Sequence, residues 1–184
     1  MSEALIVRHC SPTLAGLKTA NMFNYDFVDR AELMESIRSV NALLKDKGVR
    51  MIPLRVTNGR ALIYVYRPKK LESDLKSPLS EAILASCGYD GDSAPLLIKE
   101  LIRRLGGTGD FPHEIGLFLG YPPEDVRCFM CDRNRECRGV GCWRVYSNEK
   151  EAEKTFARFK KCTDVYCMKL KEGCSLNKLA VATA

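Results

Sequence analysis

One stretch, Val49 to Pro68, constrains the fold more than any other part of the sequence. It reads VRMIPLRVTNGRALIYVYRP, two runs rich in β-branched and aromatic residues on either side of Asn58-Gly59. This dipeptide takes positive φ readily and is typical of a tight β-hairpin turn. Pro53 has no N–H to donate, so the first run suits an edge strand or a bulge. The stretch therefore predicts an antiparallel hairpin over residues 50–66.

Helix and strand patterns on both sides of the hairpin complete the predicted fold. Short strands are predicted over residues 4–8 and 142–146, where brief apolar runs occur. Capping residues and apolar spacing predict helices that begin near Ser11-Pro12, Asp29, Ser77-Pro78, Ser93 and Asn148, with two short ones within 111–130. Together these elements predict an α+β fold, in which a small, largely antiparallel sheet of about four strands is covered by several helices.

Length and composition favour one ordinary domain. The 184 residues can bury a full hydrophobic core, and 46% of them are hydrophobic. We expect a single domain over residues 1–175 and a frayed C-terminal tail over 176–184. No apolar run approaches the roughly 18 residues that span a bilayer, and the N-terminus does not resemble a secretion signal. The expected location is the cytoplasm, with no membrane partner.

Charge and cysteine content narrow the classes of function. The chain has 29 basic and 23 acidic residues, a net charge of +6 that favours anionic partners without requiring them. It also has nine cysteines, an odd number. In a reducing compartment we expect these to be thiols, metal ligands or redox groups rather than structural disulfides.

Cys10 is the first candidate for a reactive group. If a strand ends near Arg8 and a helix begins near Ser11, the thiol lies at a helix N-terminus, where the backbone dipoles favour a thiolate. His9 could assist it, although consecutive residues at a strand end point to opposite sides. The competing interpretation is a small buried residue at a strand–helix junction, because free cysteine is among the most buried residue types.

His113 and Glu114 form the second candidate group. His113 is one of two histidines in the chain and lies near a predicted helix start. A cysteine and a histidine that meet in space can form a nucleophile–base pair, with Glu114 or Asp110 orienting the imidazole. Cys10, His113 and Glu114 are therefore the predicted catalytic residues, although the sequence does not show that they meet. A capping or packing role is the alternative for His113.

A loop with four cysteines is the third candidate. Its sequence CFMCDRNRECRGVGCW has the spacing C-x2-C-x5-C-x4-C, and four thiolates can hold zinc or an iron–sulfur cluster. The predicted metal ligands are Cys128, Cys131, Cys137 and Cys142. Arginines outnumber acidic residues in the same loop, which suits phosphate contacts and a nucleic acid. Alternatively, the first two cysteines pack in a core and the arginines solvate an exposed loop.

Four segments of the chain together resemble a known family. They are HCSPTLAGLKTANMF, YVYRPKKLESDL, FPHEIGLFLGYPPEDV and WRVYSNEKEAEKTFARFKKC, and they extend over nearly the whole chain. They are similar to an uncharacterised family of mainly clostridial bacteria, domain of unknown function 3793. Its signatures correspond here to His9, Cys10, Pro12, Thr13, Gly16, Lys18, Asn21, His113, Glu114, Gly120, Tyr121, Asp125, Cys137 and Trp143. Cys128 stands where the family pattern has Gly, and Cys131 lies outside it, which weakens a four-cysteine metal site.

The resemblance implies no established activity, so several functions remain open. Our first hypothesis is a thiol-centred redox, metal-binding or cofactor-binding protein that uses Cys10 with His9 and His113. In this hypothesis His9, Lys18 and Asn21 bind the cofactor. The resemblance hints at iron metabolism and at a flavodoxin-like or iron-handling partner. The alternatives are a Cys-His acyl-transfer enzyme or amide hydrolase, a basic nucleic-acid-binding module and an interaction protein without chemistry.

Overall fold

A computed structural model describes residues 1–107 and 109–182. The described helices are α1 (Glu3–Leu14), α2 (Arg30–Leu44), α3 (Pro68–Leu75), α4 (Pro78–Ser86), α5 (Ala94–Leu105), α6 (Ile115–Phe118), α7 (Pro123–Cys131), α8 (Glu149–Lys171) and α9 (Leu176–Leu179). The described strands are β1 (Ala20–Asp26), β2 (Arg50–Thr57), β3 (Arg60–Tyr66), β4 (Gly139–Val140) and β5 (Arg144–Val145). The fold is α+β, as predicted.

The chain divides into two compact units, each described by itself below. The first unit comprises Met1–Lys69 and Phe159–Ala184, and the second comprises Lys70–Arg158. The prediction of a single domain stays a prediction. None of the described helices is both long and apolar enough to cross a bilayer.

The first unit is built on the predicted hairpin. Strands β2 and β3 pair antiparallel, and Gly59 has a φ of 75° at the turn. Strand β1 pairs antiparallel with the other side of β3, which gives the order β1-β3-β2 and leaves β2 at an edge. The register of β2 shifts between Pro53 and Arg55, which confirms the expected irregularity at Pro53. Helix α2 begins after Asp29, whose carboxylate accepts the Ala31 N–H.

The N-terminal segment differs from its prediction. Residues 4–8 belong to α1, because Ser2 caps that helix by accepting the Leu5 N–H and Glu3 suits its first turn. The apolar residues of this helix recur at helical spacing and enter the core. Pro12 lies in the last turn rather than the first. The predicted strand over 4–8 and helix start at Ser11 are therefore wrong, and β1 occupies part of the expected helix.

The C-terminal segment of the first unit is also more ordered than expected. Helix α9 places Leu176 and Leu179 in the same apolar core as α1, α2 and the sheet. The backbone N–H of Leu176 donates to Glu3, and that of Val181 donates to the Leu14 carbonyl. Residues 176–181 are therefore held in the first unit by these contacts, whereas a frayed tail was expected over 176–184. Residues 183–184 lie outside the described part of the chain.

The second unit contains helices α3 to α7, the first part of α8 and the short pair β4-β5. The strands pair antiparallel, with Gly139 opposite Val145. The predicted strand over 142–146 is reduced to the two residues of β5. The helices predicted to begin after Ser77, Ser93 and Asn148 are present, and so are the two short helices within 111–130.

Candidate functional site

The structure removes the premise on which Cys10 was predicted to be reactive. Cys10 lies in the interior of α1 with 0% of its surface exposed, rather than at a helix N-terminus. Burial raises the pKa of its thiol, and the charge of Lys18 opposes this only in part. The thiol is therefore protonated at neutral pH and enclosed by the apolar core of the first unit.

The residues around Cys10 make packing and hydrogen-bonding contacts within the first unit. His9 stacks on Phe23, with ring centroids 5.0 Å apart and an interplanar angle of 11°. Burial and the neighbouring Arg8 charge lower the pKa of His9. The Thr13 hydroxyl donates to Asn21 Oδ1 at 2.7 Å, and Lys18 Nζ lies 6.0 Å from the Phe159 ring centroid. Cofactor binding by His9, Lys18 and Asn21 stays a prediction.

Arg67 is a buried cation in the first unit that sequence reasoning missed. Its guanidinium donates to the carbonyl oxygens of Thr13 and Leu14, each at 2.6 Å, at the C-terminal end of α1. It also donates to the carbonyls of Lys47 at 3.1 Å and Val181 at 2.8 Å. The carbonyls at a helix C-terminus carry partial negative charge, and the guanidinium gives those of Thr13 and Leu14 a charged donor in addition to the backbone N–H that each accepts. Burial lowers the pKa of Arg67.

Glu114 belongs to a buried polar network in the second unit. Its Oε1 accepts the Tyr89 hydroxyl at 3.1 Å and lies 3.7 Å from Arg104 Nη1. The Arg104 guanidinium stacks 4.4 Å from the Tyr89 ring centroid and donates to the Cys87 carbonyl at 2.6 Å. Burial and the Glu114 charge raise the pKa of Tyr89, so it stays a neutral donor. The network packs α5 against the segment before α6.

The predicted catalytic residues are divided between the two units. Cys10 belongs to the first unit, whereas His113 and Glu114 belong to the second. His113 contacts two aromatic rings of its own unit, described below. The contact between Cys10 and His113 stays a prediction.

Asp125 organises the β4-β5 region and is a second residue whose role the sequence did not reveal. It lies in the first turn of α7 and is buried. Its Oδ1 accepts the backbone N–H groups of Tyr146 at 2.9 Å and Ser147 at 2.8 Å, and its Oδ2 accepts Trp143 Nε1 at 2.8 Å. One carboxylate therefore fixes the end of β5 and the following turn.

Of the four predicted metal ligands, Cys128 and Cys131 lie in the C-terminal part of α7, and Cys137 and Cys142 follow it. Cys131 and Cys142 are exposed, whereas Cys128 and Cys137 are half-buried. Within residues 1–107 and 109–182, no three His, Cys, Asp or Glu side chains are grouped so that they could hold a metal ion. Cys128 Sγ instead lies 4.0 Å from Arg135 Nη1. Zinc or iron bound by Cys128, Cys131, Cys137 and Cys142 stays a prediction.

A row of rings and guanidinium groups lies beside this loop. His113 packs edge-on between Phe111 and Phe129, with centroid distances of 5.4 and 5.1 Å. The Arg144 guanidinium lies 5.6 Å from the Phe129 ring centroid, and Arg144 also donates to the Arg133 carbonyl at 2.8 Å. We call Phe111, His113, Phe129, Arg133 and Arg144 the arginine–aromatic surface.

The arginine–aromatic surface is open to solvent and positively charged. Phe111 is 44% exposed, and Arg133 and Arg144 are exposed. Burial and the Arg133 charge lower the pKa of His113, so this imidazole is a neutral ring at neutral pH. Arg133 forms an ion pair with Asp110 at 3.9 Å, and both side chains are exposed. Because such a surface pair is weak, another anion can replace the Asp110 carboxylate at Arg133.

The fold and this surface define an α+β chain with exposed arginines and aromatic rings side by side on its second unit. The family model described as Protein of unknown function (DUF3793) matches residues 6–180, and the chain belongs to this family. Neither the comparison with curated proteins nor that with solved structures found a match.

Proposed function

We propose that the second unit binds single-stranded nucleic acid through the arginine–aromatic surface. The observation that carries this proposal is the row of contacts from Arg144 through Phe129 and His113 to Phe111. Aromatic rings beside cations are the combination that proteins use to hold unpaired bases and their phosphates.

The rings supply stacking area for bases. Phe111 is a large apolar side chain that the fold leaves nearly half exposed. Phe129 and His113 are partly exposed beside it. Base–aromatic stacking contributes about 1–3 kcal/mol per base and tolerates any base, because every base has a π-face. We therefore expect affinity without strong sequence preference.

The arginines supply the attraction for phosphates. Between residues 127 and 144 there are five arginines and two acidic residues. The arginines are Arg127, Arg133, Arg135, Arg138 and Arg144, and all five are exposed. Binding phosphates releases condensed counterions, so the affinity should decrease steeply as salt is raised.

A single strand fits this surface better than a duplex. In a duplex the bases are stacked on each other and offer no π-face to Phe111 or Phe129. Guanidinium groups alone would contact the backbone of either form. A preference for single strands therefore reports on the rings, and the salt dependence reports on the arginines.

The test is fluorescence anisotropy with a labelled oligothymidine of about 12 nucleotides, a typical site length for such surfaces. Phe129→Leu retains apolar volume and removes the ring, and we expect its affinity to fall by about fivefold or more. Arg144→Gln should weaken binding and also reduce the slope of affinity against salt. Arg38→Gln, which removes an exposed arginine of the first unit, is the matched control and should bind like the unaltered chain.

Two results would overturn the proposal. One is no binding of the oligonucleotide even at about 50 mM salt, where phosphate contacts are strongest. The other is equal loss of affinity in Arg38→Gln and Arg144→Gln, which would reduce the effect to overall charge. Circular dichroism of each variant verifies that it is folded.

A further inference from the structure

The second unit also contains an open groove on elements that the arginine–aromatic surface does not use. It is bordered by α3, α4 and the start of α5, and it encloses about 650 Å³. Its floor is apolar and includes Leu84 and Leu97, which are buried. Leu96 at its edge is 48% exposed. A cavity of this size can take several side chains of a ligand.

The rim of the groove is strongly acidic. Four carboxylates and one ammonium group line it: Glu72, Glu81, Asp90, Asp92 and Lys76. Glu72 is fixed, because its Oε1 lies 2.7 Å from Lys76 Nζ and its Oε2 accepts the Ala94 N–H at 2.9 Å. Glu81, Asp90 and Asp92 are exposed. The hydrogen bond and charge of Glu72 raise the pKa of Lys76, with smaller contributions from Asp92 and Glu81.

This acidic rim contrasts with the charge of the whole chain. The chain carries a net charge of +6, so a cation approaching at random is repelled. The groove has the opposite sign, because four carboxylates and one ammonium group surround its apolar floor. Complementary charges at an interface speed the encounter of two partners and disfavour wrong partners. The apolar floor of the groove provides surface that a partner's apolar side chains can bury.

We propose that this groove is the docking site for a basic amphipathic peptide segment of a partner protein. One or more apolar side chains of the segment pack on Leu84, Leu96 and Leu97. Its lysines or arginines pair with Glu81, Asp90 and Asp92. An amphipathic helix laid in a groove is a recurrent mode of recognition, with apolar anchors on one face and charges on the flanks.

The test uses the full chain and a fluorescein-labelled synthetic peptide of leucine and lysine at helical spacing. Binding is measured by anisotropy, with a peptide in which glutamate replaces lysine as the negative control. We expect the double variant Glu81→Lys/Asp92→Lys to lose at least about tenfold in affinity, because two attractive pairs become repulsive. Leu96→Ser should lose severalfold by removing an apolar anchor. Glu153→Lys, a charge reversal elsewhere on the second unit, is the matched control and should leave binding unchanged.

Lys76→Ala provides a variant that should gain rather than lose affinity. Its removal deletes the one cation of the rim and frees Glu72 for the peptide. Partial unfolding would weaken peptide binding, so it cannot explain a gain of affinity. Lys76→Ala therefore tests the proposal even if the variants that are expected to lose affinity are unstable.

Three outcomes would overturn the proposal. The first is an affinity for the lysine peptide no greater than for the glutamate peptide. The second is equal weakening by Glu153→Lys and by the double variant, which would indicate general electrostatic attraction. The third is binding of spermine as tight as that of the peptide together with no effect of Leu96→Ser, which would make the occupant a small polycation.

Discussion

The two units use their arginines in opposite ways. In the first unit, Arg67 is buried and its donors are directed at main-chain carbonyls of Thr13, Leu14, Lys47 and Val181. In the second unit, Arg144 is exposed and lies over a phenylalanine ring. The same side chain therefore stabilises the fold in one unit and remains available to a ligand in the other.

This difference shows where function can be sought in the chain. In the first unit Cys10 is enclosed in the core, Thr13 is hydrogen-bonded to Asn21, and the exposed His9 is stacked on Phe23. In the second unit the buried carboxylate of Glu114 binds the Tyr89 hydroxyl and that of Asp125 fixes the backbone after β5, whereas rings and cations remain at the surface. We therefore infer that the first unit contributes stability and the second unit contributes binding.

Arg67→Met should produce the largest effect. The substitution keeps an apolar stem and removes the donors of carbonyl oxygens that are held at 2.6 to 3.1 Å. The Thr13 and Leu14 carbonyls keep backbone donors from Gly16 and Val181, so the loss comes from removing buried charge-assisted hydrogen bonds. Hydrogen bonds to charged groups contribute about 1.5–3 kcal/mol each and do not add fully, so we expect the free energy of unfolding to fall by about 3–5 kcal/mol. Urea denaturation followed by circular dichroism measures it.

The matched variant for Arg67 is Arg38→Met. Its side chain is 68% exposed and pairs with an exposed glutamate, so it should change the free energy of unfolding by less than about 0.5 kcal/mol. If Arg67→Met were no more destabilising than Arg38→Met, the contrast between buried and exposed arginines would fail.

Cys10 provides the next largest effect, in thiol reactivity. Cys131 and Cys142 are exposed, whereas Cys10 is enclosed and its pKa is raised. We expect alkylation of Cys10 to be at least about 100-fold slower than that of Cys131, because it requires opening of the core. Pulsed labelling with N-ethylmaleimide and peptide mass spectrometry measures each rate, and in denaturant the rates should become similar. Equal alkylation rates of Cys10 and Cys131 in the native protein would mean that the Cys10 thiol is accessible and reactive after all.

The sequence could predict the elements whose signals are local. Asn58-Gly59 defines a turn by itself, and Pro53 identifies a bulge in the strand before it. The short apolar run over 4–8 fits a strand and a helix equally well, and the cap at Ser2 decides between them. Pro12 lies in the last turn of α1, but the sequence pattern was interpreted as a proline in a first turn. The helix start was therefore predicted too late, and Cys10 was placed at a helix N-terminus instead of in the helix interior.

The candidate site was harder to predict because its contacts join distant residues. The arginine-rich loop was visible as composition, and its suitability for phosphates was predicted. The stacking of His113 between Phe111 and Phe129 was not, because no spacing pattern connects those three positions. The same holds for Arg67, which follows a strand and gives no sequence sign that carbonyls from α1 and residue 181 converge on it.

Asp125→Asn tests the backbone support of the arginine–aromatic surface and should have an intermediate effect. Asp125 accepts three N–H donors, from Trp143, Tyr146 and Ser147. An amide group would direct its own N–H at one of these donors and lose the charge, so we expect destabilisation of about 2 kcal/mol. Thermal denaturation measures it, and Glu124→Gln at the exposed neighbouring position is the control. Equal effects of the two variants would mean that Asp125 does not organise this region.

The smallest expected effect concerns pH and His113. Its pKa lies below the ordinary value because of burial and Arg133, while Glu114 and Asp110 oppose that shift. The unfolded chain therefore binds the proton more readily, and the stability that is present above the unfolded pKa is lost as pH falls from there through the lower folded pKa. Bound phosphates favour the protonated imidazole, so the affinity for oligothymidine should rise by about two- to threefold from pH 7 to about pH 5.5. In His113→Gln this rise should disappear, whereas a rise that persists there would assign it to other groups and separate His113 from the binding surface.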